Sequence, residues 1–151
     1  MNNTIQYAVD QDGIALLTID LPGKPVNVLM PELMQDLAEL TQHAATDDEV
    51  KGMVLTSAKK SFIAGADIKD MVTAYDRGVT VREAAGFSDE LNRTLRAMET
   101  CGKPIAVAIN GLALGGGLEV CLACHYRVLA SDTGAVLGFP EVNIGLLPGA
   151  G

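Results

Sequence analysis

The spacing of apolar residues along the first half of the chain predicts strands that alternate with helices. Two β-like runs, TIQYAVD and IALLTID, are joined by QDG, a turn signal that predicts a hairpin. Pro31 suits the first turn of a helix, and apolar residues recur at helical spacing after it, at Leu33, Met34, Leu37, Leu40 and Ala44. The run VKGMVLTS then predicts a buried strand, and AKKSFIAGAD predicts a loop before a short helix that begins with IKDM.

The second half of the chain continues this alternation. Thr80 and Glu83 have the spacing of a capping box and predict the start of a long helix. That helix has an apolar face formed by Phe87, Leu91, Leu95 and Met98. PIAVAIN predicts a strand, residues 115–124 a buried helix, and YRVLAS and AVLGF two further strands. The order of the elements therefore predicts the α/β class.

Composition and charge narrow the kinds of partner. The chain has 151 residues, 48% hydrophobic and 20% charged, which suits one globular domain with a core. A net charge of -8 disfavours nucleic acid or an anionic membrane as the main partner. The longest apolar tract, residues 104–124, is interrupted by Asn110, Glu119 and glycines, so we expect no membrane span.

The expected location is the cytoplasm. The first residues, MNNTIQYAVDQDG, show neither the basic nor the apolar region of a signal peptide. Three cysteines, an odd number, predict no disulfide framework and favour a reducing compartment.

The glycine-rich run INGLALGGGLEVCLACH allows two interpretations. Its glycines at 111, 115, 116 and 117 do not fit the dinucleotide fingerprint GxGxxG, and no Lys-Ser/Thr follows as in a P-loop. One interpretation is close packing of the turn against a neighbouring strand. The other is a helix N-terminus that directs free N–H groups and a positive dipole end at a ligand.

Two carboxylates stand out because their surroundings are apolar. Glu119 falls in the first turn of the predicted helix, where the helix dipole alone could explain it. Glu141 lies in GFPEVNIG, where it could be a surface turn residue. Together with backbone N–H donors, however, the pair could divide general-acid and general-base work.

Other motifs predict no chemistry. CLACH matches the haem-attachment pattern CxxCH, but without an export signal the two cysteines are better interpreted as small core residues. No second cysteine pair is present for zinc, and we expect no metal site. His43, Lys59 and Lys60 are interpreted as solvated residues.

Three segments resemble the signature blocks of one family. SFIAGADIKDM, INGLALGGGLEVCLACHYRV and LGFPEVNIGLLPGAG are similar in order and spacing to blocks of the crotonase family, the enoyl-CoA hydratases and isomerases. The details GGGLE, LACH and VLGFPEV are most similar to the amino-terminal domain of multifunctional members that serve fatty-acid oxidation. The resemblance implies a crotonase-like spiral of ββα units, of which residues 1–151 would be the amino-terminal portion, apparently truncated.

The resemblance also implies a set of site residues. The N–H groups of Ala66 and Gly116 would form the oxyanion hole, and Glu119 and Glu141 would be the catalytic carboxylates. The coenzyme A site would be lined by Ala64, Ala66, Asp67, Ile68 and Lys69. The implied reaction is hydration of 2-trans-enoyl-CoA to 3-hydroxyacyl-CoA in fatty-acid β-oxidation.

Partners and alternatives follow from the same resemblance. The substrate would be an acyl-CoA thioester, and hydration would need no cofactor; NAD would serve only a downstream dehydrogenase part. The full-length protein would form a homo-oligomer or a complex with a thiolase subunit. An enoyl-CoA isomerase, another CoA-thioester enzyme of the same fold, and a non-catalytic CoA-binding fragment remain open as alternatives.

Overall fold

The computed structural model describes residues 2–131 and 134–149, which alternate between strands and helices as the sequence predicts. The strands are β1 (Ile5–Val9), β2 (Ile14–Ile19), β3 (Gly52–Ser57), β4 (Ile105–Ile109), β5 (Ala113–Leu114), β6 (Tyr126–Leu129) and β7 (Leu137–Gly138). The helices are α1 (Pro31–Thr46), α2 (Ile68–Asp76), α3 (Val81–Thr100), α4 (Gly116–Ala123) and a 3-10 helix (Pro140–Ile144). The prediction of an α/β chain is confirmed.

Within the described residues, the main sheet has the order β1-β2-β3-β4-β6. β1 and β2 form the predicted antiparallel hairpin, whereas β3, β4 and β6 are added in parallel. Parallel neighbours place their carboxyl ends at one edge of the sheet, where α/β proteins bind ligands. The loops after β3 and β4 meet at this edge, because the Asn110 side chain donates hydrogen bonds to the carbonyls of Ser57 and Lys59.

The core packs on this sheet and takes residues from α1, α3 and α4, of which α1 contributes a whole face. The helix buries the apolar residues that the spacing picked out, Leu33, Met34, Leu37, Leu40 and Ala44. These residues recur every three or four positions, so they form one stripe that leaves water together when the helix packs. The prediction of an amphipathic helix after Pro31 is confirmed.

A buried carboxylate ties the amino-terminal segment to α1. Asp36 is 1% exposed and accepts hydrogen bonds from the N–H groups of Asn2, at 2.7 Å, and Thr4, at 3.0 Å, and from the Thr4 hydroxyl at 2.8 Å. Burial by itself raises the pKa of Asp36, but these hydrogen bonds outweigh it and leave the pKa below its usual value.

Helix α3 begins as predicted but is only half buried. Thr80 and Glu83 form a reciprocal capping box at its start. Leu95 and Met98 are buried, whereas Phe87, which the spacing placed on the same face, is 60% exposed. Phe87 lies at helical spacing from Leu95 and Met98 but is not buried with them, because the buried residues of α3 all lie in its second half.

The last strands are shorter than the runs that predicted them. β6 covers Tyr126–Leu129, and its side chains are exposed at the edge of the sheet. β7 covers two residues, Leu137–Gly138, and pairs with β5 away from the main sheet. No helix among the described residues is long and apolar enough to cross a membrane.

The cysteines of CLACH are core residues in α4 and at its C-terminal cap. Cys121 and Cys124 are buried, and burial raises the pKa of both thiols to about 12. A thiol in this state carries almost no thiolate at neutral pH and is chemically inert. Their interpretation as small core residues is confirmed.

Candidate functional site

The three sequence blocks converge on the short strand β5. The Leu114 N–H donates to the carbonyl of Ile63 at 3.1 Å, which joins the second block to the first. On the other side, the Ala113 N–H donates to Val136 at 3.0 Å and the Gly115 N–H to Gly138 at 2.9 Å, which joins the third block. Residues far apart in sequence therefore share one small platform at the carboxyl edge of the sheet.

The glycines in and around this platform have two different roles, close packing and a turn at the start of α4. A Cβ on Gly111 or Gly117 would collide with a backbone carbonyl, that of Lys60 or Ile63. These two glycines therefore match the interpretation of close packing, but the neighbour is the segment after β3 that carries Lys60 and Ile63, which is not a strand. Gly115 has φ +52°, a backbone conformation that favours glycine, and it forms the N-terminal cap of α4.

The start of α4 leaves an N–H group without an acceptor among the described residues. The N–H groups of Leu118 and Glu119 donate to the carbonyl of Gly115, and no side chain in the described part of the chain caps the helix. No hydrogen bond joins the Gly116 N–H to any of the residues that the structure describes. The helix dipole adds a positive potential at the same place, so the end of α4 suits an anionic oxygen.

Ala66 lies beside this helix end on a separate backbone segment. Gly65, with φ +89°, packs against the Leu114 carbonyl, since a Cβ on it would lie 3.3 Å from that oxygen. The Leu29 N–H donates to the Gly65 carbonyl at 2.7 Å, and Leu29 and Ala66 form an isolated parallel bridge. The Ala66 N–H has no hydrogen-bond partner in residues 2–131 and 134–149, and the residue is exposed.

Both candidate carboxylates face the Gly115–Gly116 turn. Glu119 is 7% exposed, and a Cβ on Gly116 would lie 3.6 Å from its Oε2. A Cβ on Gly115 would collide with Oε1 of Glu141. Oε2 of Glu141 is buried and has no hydrogen-bond partner among the described residues. The structure therefore brings together Glu119, Glu141 and Gly116, which are separate in the sequence.

A cavity of about 400 Å³ adjoins Glu119 on the side of α3. Glu119, Leu122 and Ala123 of α4 line one wall. The opposite wall is lined by four residues of α3, and Phe139 and Pro148 close the end; the four are Asn92, Leu95, Arg96 and Glu99. The Glu119 side chain is thus reached both from the glycine turn and from this cavity.

The run that was predicted to line the coenzyme A site lies at the start of α2. Asp67 is the N-terminal cap of the helix and accepts from the Lys69 N–H at 3.1 Å and from Lys24 Nζ at 2.7 Å. The hydrogen bond with Lys24, helped by that from Lys69, lowers the pKa of Asp67, and the same contact raises the pKa of Lys24. Ile68 and Lys69 are exposed, and Ala64 is half-buried with its N–H donated to Asn27.

The interpretation of Lys59 as a solvated residue is wrong. Its side chain is only 13% exposed, and Nζ donates to the Leu21 carbonyl at 2.7 Å and contacts Asp20 at 3.2 Å. It also donates to the Lys24 carbonyl. Lys59 therefore holds the loop after β2, because three oxygens there replace the water that would otherwise surround its ammonium group. His43 is exposed, as expected, and packs edge-on against Tyr7.

Asn27 and Leu29 are site residues that the sequence did not reveal. Asn27 is fully buried, and its Oδ1 accepts from the Leu21 N–H at 3.1 Å. Its Nδ2 donates to the Ile19 carbonyl, the Ser57 hydroxyl and the Phe62 carbonyl. A polar residue between prolines and apolar residues is ordinary in a loop, so no local signal distinguishes it.

Comparison with known proteins agrees with the resemblance. The sequence profile described as enoyl-CoA hydratase/isomerase matches residues 10–151. The fatty acid oxidation complex subunit alpha of Shewanella oneidensis is 41% identical over the whole chain, which covers 21% of that protein. An enoyl-CoA hydratase from Bacillus anthracis superposes with a TM-score of 0.86 at 27% identity, over 99% of this chain and 55% of that one. One from Thermoplasma volcanium gives 0.84 at 30% identity, over 98% and 56%.

The fold and these matches define a protein of the crotonase fold, so that part of the predicted architecture is confirmed. The chain belongs to the enoyl-CoA hydratase/isomerase family. It spans about a fifth of the length of the Shewanella relative and about half of the two solved structures.

Proposed function

We propose that this chain forms part of an enoyl-CoA hydratase of fatty-acid β-oxidation, which adds water to a 2-trans-enoyl-CoA to give a 3-hydroxyacyl-CoA. One observation carries the proposal: two carboxylates, Glu119 and Glu141, face the glycine turn at which α4 begins. Family membership supports the substrate class, because the profile is that of enoyl-CoA hydratases and isomerases.

The N–H groups of Ala66 and Gly116 would hold the thioester oxygen. Neither has a hydrogen-bond partner among the described residues, and the dipole of α4 favours negative charge beside Gly116. As water adds to the β-carbon, electrons of the double bond move toward the thioester oxygen, which becomes enolate-like. Preorganised donors stabilise such a charge without reorganising during the reaction.

The two carboxylates would handle water and its protons. Glu119 and Glu141 would position the water, and one of them would take its proton as the oxygen bonds to the β-carbon. A carboxyl group would then return a proton to the α-carbon, so the thioester gains one water and the carboxylates end as they began. Burial suits this work, because a carboxylate shielded from bulk water bonds more strongly to a single bound water.

The start of α2 would receive the coenzyme A part of the substrate. This site would include the proposed oxyanion donor, Ala66. The other residues lie within three positions of it: Ala64, Asp67, Ile68 and Lys69. No redox cofactor would be needed, since the addition of water leaves the overall oxidation level of the substrate unchanged. NAD would belong to a dehydrogenase part of the full-length protein.

We infer the assembly of the full-length protein from the Shewanella relative. That relative is named as the alpha subunit of a fatty acid oxidation complex. By this likeness the full-length protein would join a complex that includes a thiolase subunit, or form a homo-oligomer. The cytoplasmic location stays a prediction.

The proposal is tested with Glu119→Gln and Glu141→Gln in the full-length protein, with Glu49→Gln at an exposed position as control. Each site variant should lower kcat for hydration by about 100-fold or more, the scale of a lost general acid or base, with coenzyme A binding unchanged. Loss of the enoyl-thioester absorbance measures the rate. Full activity in either site variant would remove that residue from the mechanism.

The same assay separates the alternatives. An isomerase would convert a 3-enoyl-CoA into the conjugated 2-enoyl-CoA, so the absorbance would rise. A non-catalytic binding chain would bind coenzyme A without a change in absorbance from either substrate. Hydration of 2-trans-enoyl-CoA by the wild-type protein, lost in both site variants, is the result expected here.

A further inference from the structure

One peptide group connects Leu29 to the proposed donor Ala66. The Leu29 N–H donates to the Gly65 carbonyl at 2.7 Å, and that carbonyl belongs to the same peptide unit as the Ala66 N–H. The described residues contain no cis peptide bond, so carbonyl and N–H point in opposite directions. The hydrogen bond to Leu29 therefore turns the Ala66 N–H away from residues 27–29 and toward the open side.

The side chain of Leu29 reaches the second proposed donor. A Cβ on Gly116 would collide with the Cδ1 methyl of Leu29, and the Leu29 Cγ would lie 3.7 Å away. Leu29 thus occupies the face of Gly116 on which other residues carry a side chain. The side chain of Leu29 therefore contacts Gly116, which carries one donor. The backbone N–H of Leu29 orients the other donor, the Ala66 N–H.

The segment that carries Leu29 has a rigid base. Asn27 is fully buried, holds the ends of β2 and β3 through its amide, and accepts the Ala64 N–H at 2.8 Å with its own carbonyl. Leu29 itself packs on the core. Residues 27–29 therefore run beside residues 64–66 at a fixed distance, so a change at Leu29 is not absorbed by loop movement.

We propose that Leu29 is a positioning residue that sets the separation of the Ala66 and Gly116 N–H groups around the thioester oxygen. This role rests on the proposed function, because it needs a thioester bound between these donors. A small error in donor placement weakens stabilisation of the transition state more than it weakens binding of the substrate. Loss of the Leu29 contact should therefore act on kcat rather than on KM.

The test uses three variants of the full-length protein. Leu29→Val shortens the side chain so that it no longer reaches Gly116, and Leu29→Met keeps an apolar chain of similar volume and reach. Val28→Ala is the matched control, since it truncates the adjacent buried residue, which is not among the nearest neighbours of Gly116. Thermal unfolding of all three checks that each variant is folded.

Two readouts separate positioning from general damage. For Leu29→Val we expect kcat to fall about ten- to a hundredfold, with KM nearly unchanged. Small misplacements of groups around the reacting atoms have effects of this size. A conjugated aryl-enoyl-CoA, whose absorption moves to the red when its carbonyl oxygen accepts hydrogen bonds, should show a smaller red shift on binding to this variant. Leu29→Met and Val28→Ala should keep both kcat and the red shift near wild type.

The outcomes distinguish this proposal from the proposed function. Wild-type kcat and red shift in Leu29→Val, or an equal loss in Val28→Ala, would overturn the role of Leu29 alone. A wild-type protein with neither hydration nor a red shift would instead overturn the proposed function. A loss of both readouts in Leu29→Val that Leu29→Met does not share supports the positioning role.

Discussion

At the residue scale, the site depends on a buried amide as much as on its carboxylates. Asn27 joins the ends of β2 and β3 to the loop that carries Ala66. The orientation of its amide is unambiguous, because Leu21 offers an N–H whereas Ile19 and Phe62 offer carbonyls. If the amide were removed, the Leu21 N–H and the Phe62 carbonyl would lose their hydrogen-bond partner. The Ile19 carbonyl and the Ser57 hydroxyl would each lose one of several partners.

Asn27→Ala should therefore destabilise the protein by about 3 kcal/mol, since two buried backbone groups would lose their hydrogen-bond partner at once. Gln42→Ala, at an exposed position of α1, serves as the comparison and should cost less. Urea unfolding followed by circular dichroism measures both. Equal unfolding midpoints for Asn27→Ala and wild type would show that water or a rearranged loop replaces the amide.

Residue identity predicted the carboxylates but not the residues that support them. Glu119 and Glu141 are conspicuous because a charged group amid apolar residues costs free energy unless it has a use. Asn27, Leu29 and Lys59 have no such local signal. Their partners come from segments separated by many residues, so only the folded chain reveals what they bind.

At the element scale, replacing a glycine by alanine should have opposite effects on stability in α4 and in α3. In α4, a Cβ on Gly117 would meet the backbone carbonyl carbon of Ile63 at 3.0 Å and its Cβ at 2.8 Å, and the carbonyl oxygen closer still. Ile63 is buried and bridged to Ala113, so its backbone atoms cannot move aside cheaply. In α3, a Cβ on Gly86 would meet nothing within 4 Å.

Gly117→Ala should therefore destabilise the protein by about 1–3 kcal/mol, the usual effect of overpacking. Gly86→Ala should stabilise it by about 0.5–1 kcal/mol, because alanine is the better helix former where no contact opposes it. Thermal unfolding of the two variants beside wild type measures both shifts. A stabilised Gly117→Ala protein would contradict the close packing of α4 against the Ile63 segment.

The predicted elements succeeded where local chemistry determines them. The capping box of Thr80 and Glu83 and the apolar face of α1 each depend on residues within a few adjacent turns. The local sequence pattern is therefore enough to predict them. Phe87 shows the limit, since apolar spacing identifies a helix face but not whether a neighbour covers it. The pairing of β5 with β7 was not predicted either, because strands of two residues have no periodicity.

At the scale of the whole molecule, the sequence predicted the class of fold but not the order of its strands. Alternation of strands and helices indicates α/β, and the resemblance adds the crotonase-like fold that the solved structures share. The junction of the three blocks on β5 depends on hydrogen bonds from Ala113, Leu114 and Gly115 to residues both before and after them. No local pattern in the sequence encodes those distances.

The fold as a whole should be sensitive to acid through Asp36. Its pKa is below the usual value because hydrogen bonds from Asn2 and Thr4 outweigh the effect of burial. A carboxyl group whose pKa is lowered on folding contributes stability that is fully present above its unfolded pKa, about 3.9. That contribution is lost as the pH falls through the lower pKa of the folded state, because the protonated group no longer favours the native hydrogen bonds.

Asp36→Asn should consequently reduce the free energy of unfolding at pH 7 by about 1.5–3 kcal/mol, the scale of hydrogen bonds to a charged acceptor. The same substitution should flatten the decline of that free energy below about pH 4, because the group that titrates there is gone. Urea unfolding at a series of pH values, with Asp48→Asn as an exposed control, measures the two slopes. Since the bonds to Asp36 hold residues 2–4 against α1, hydrogen exchange at Thr4 should rise in parallel. An acid slope as steep in Asp36→Asn as in wild type would assign the sensitivity to other carboxylates, and Asp67, whose pKa is also lowered, would be the next to substitute.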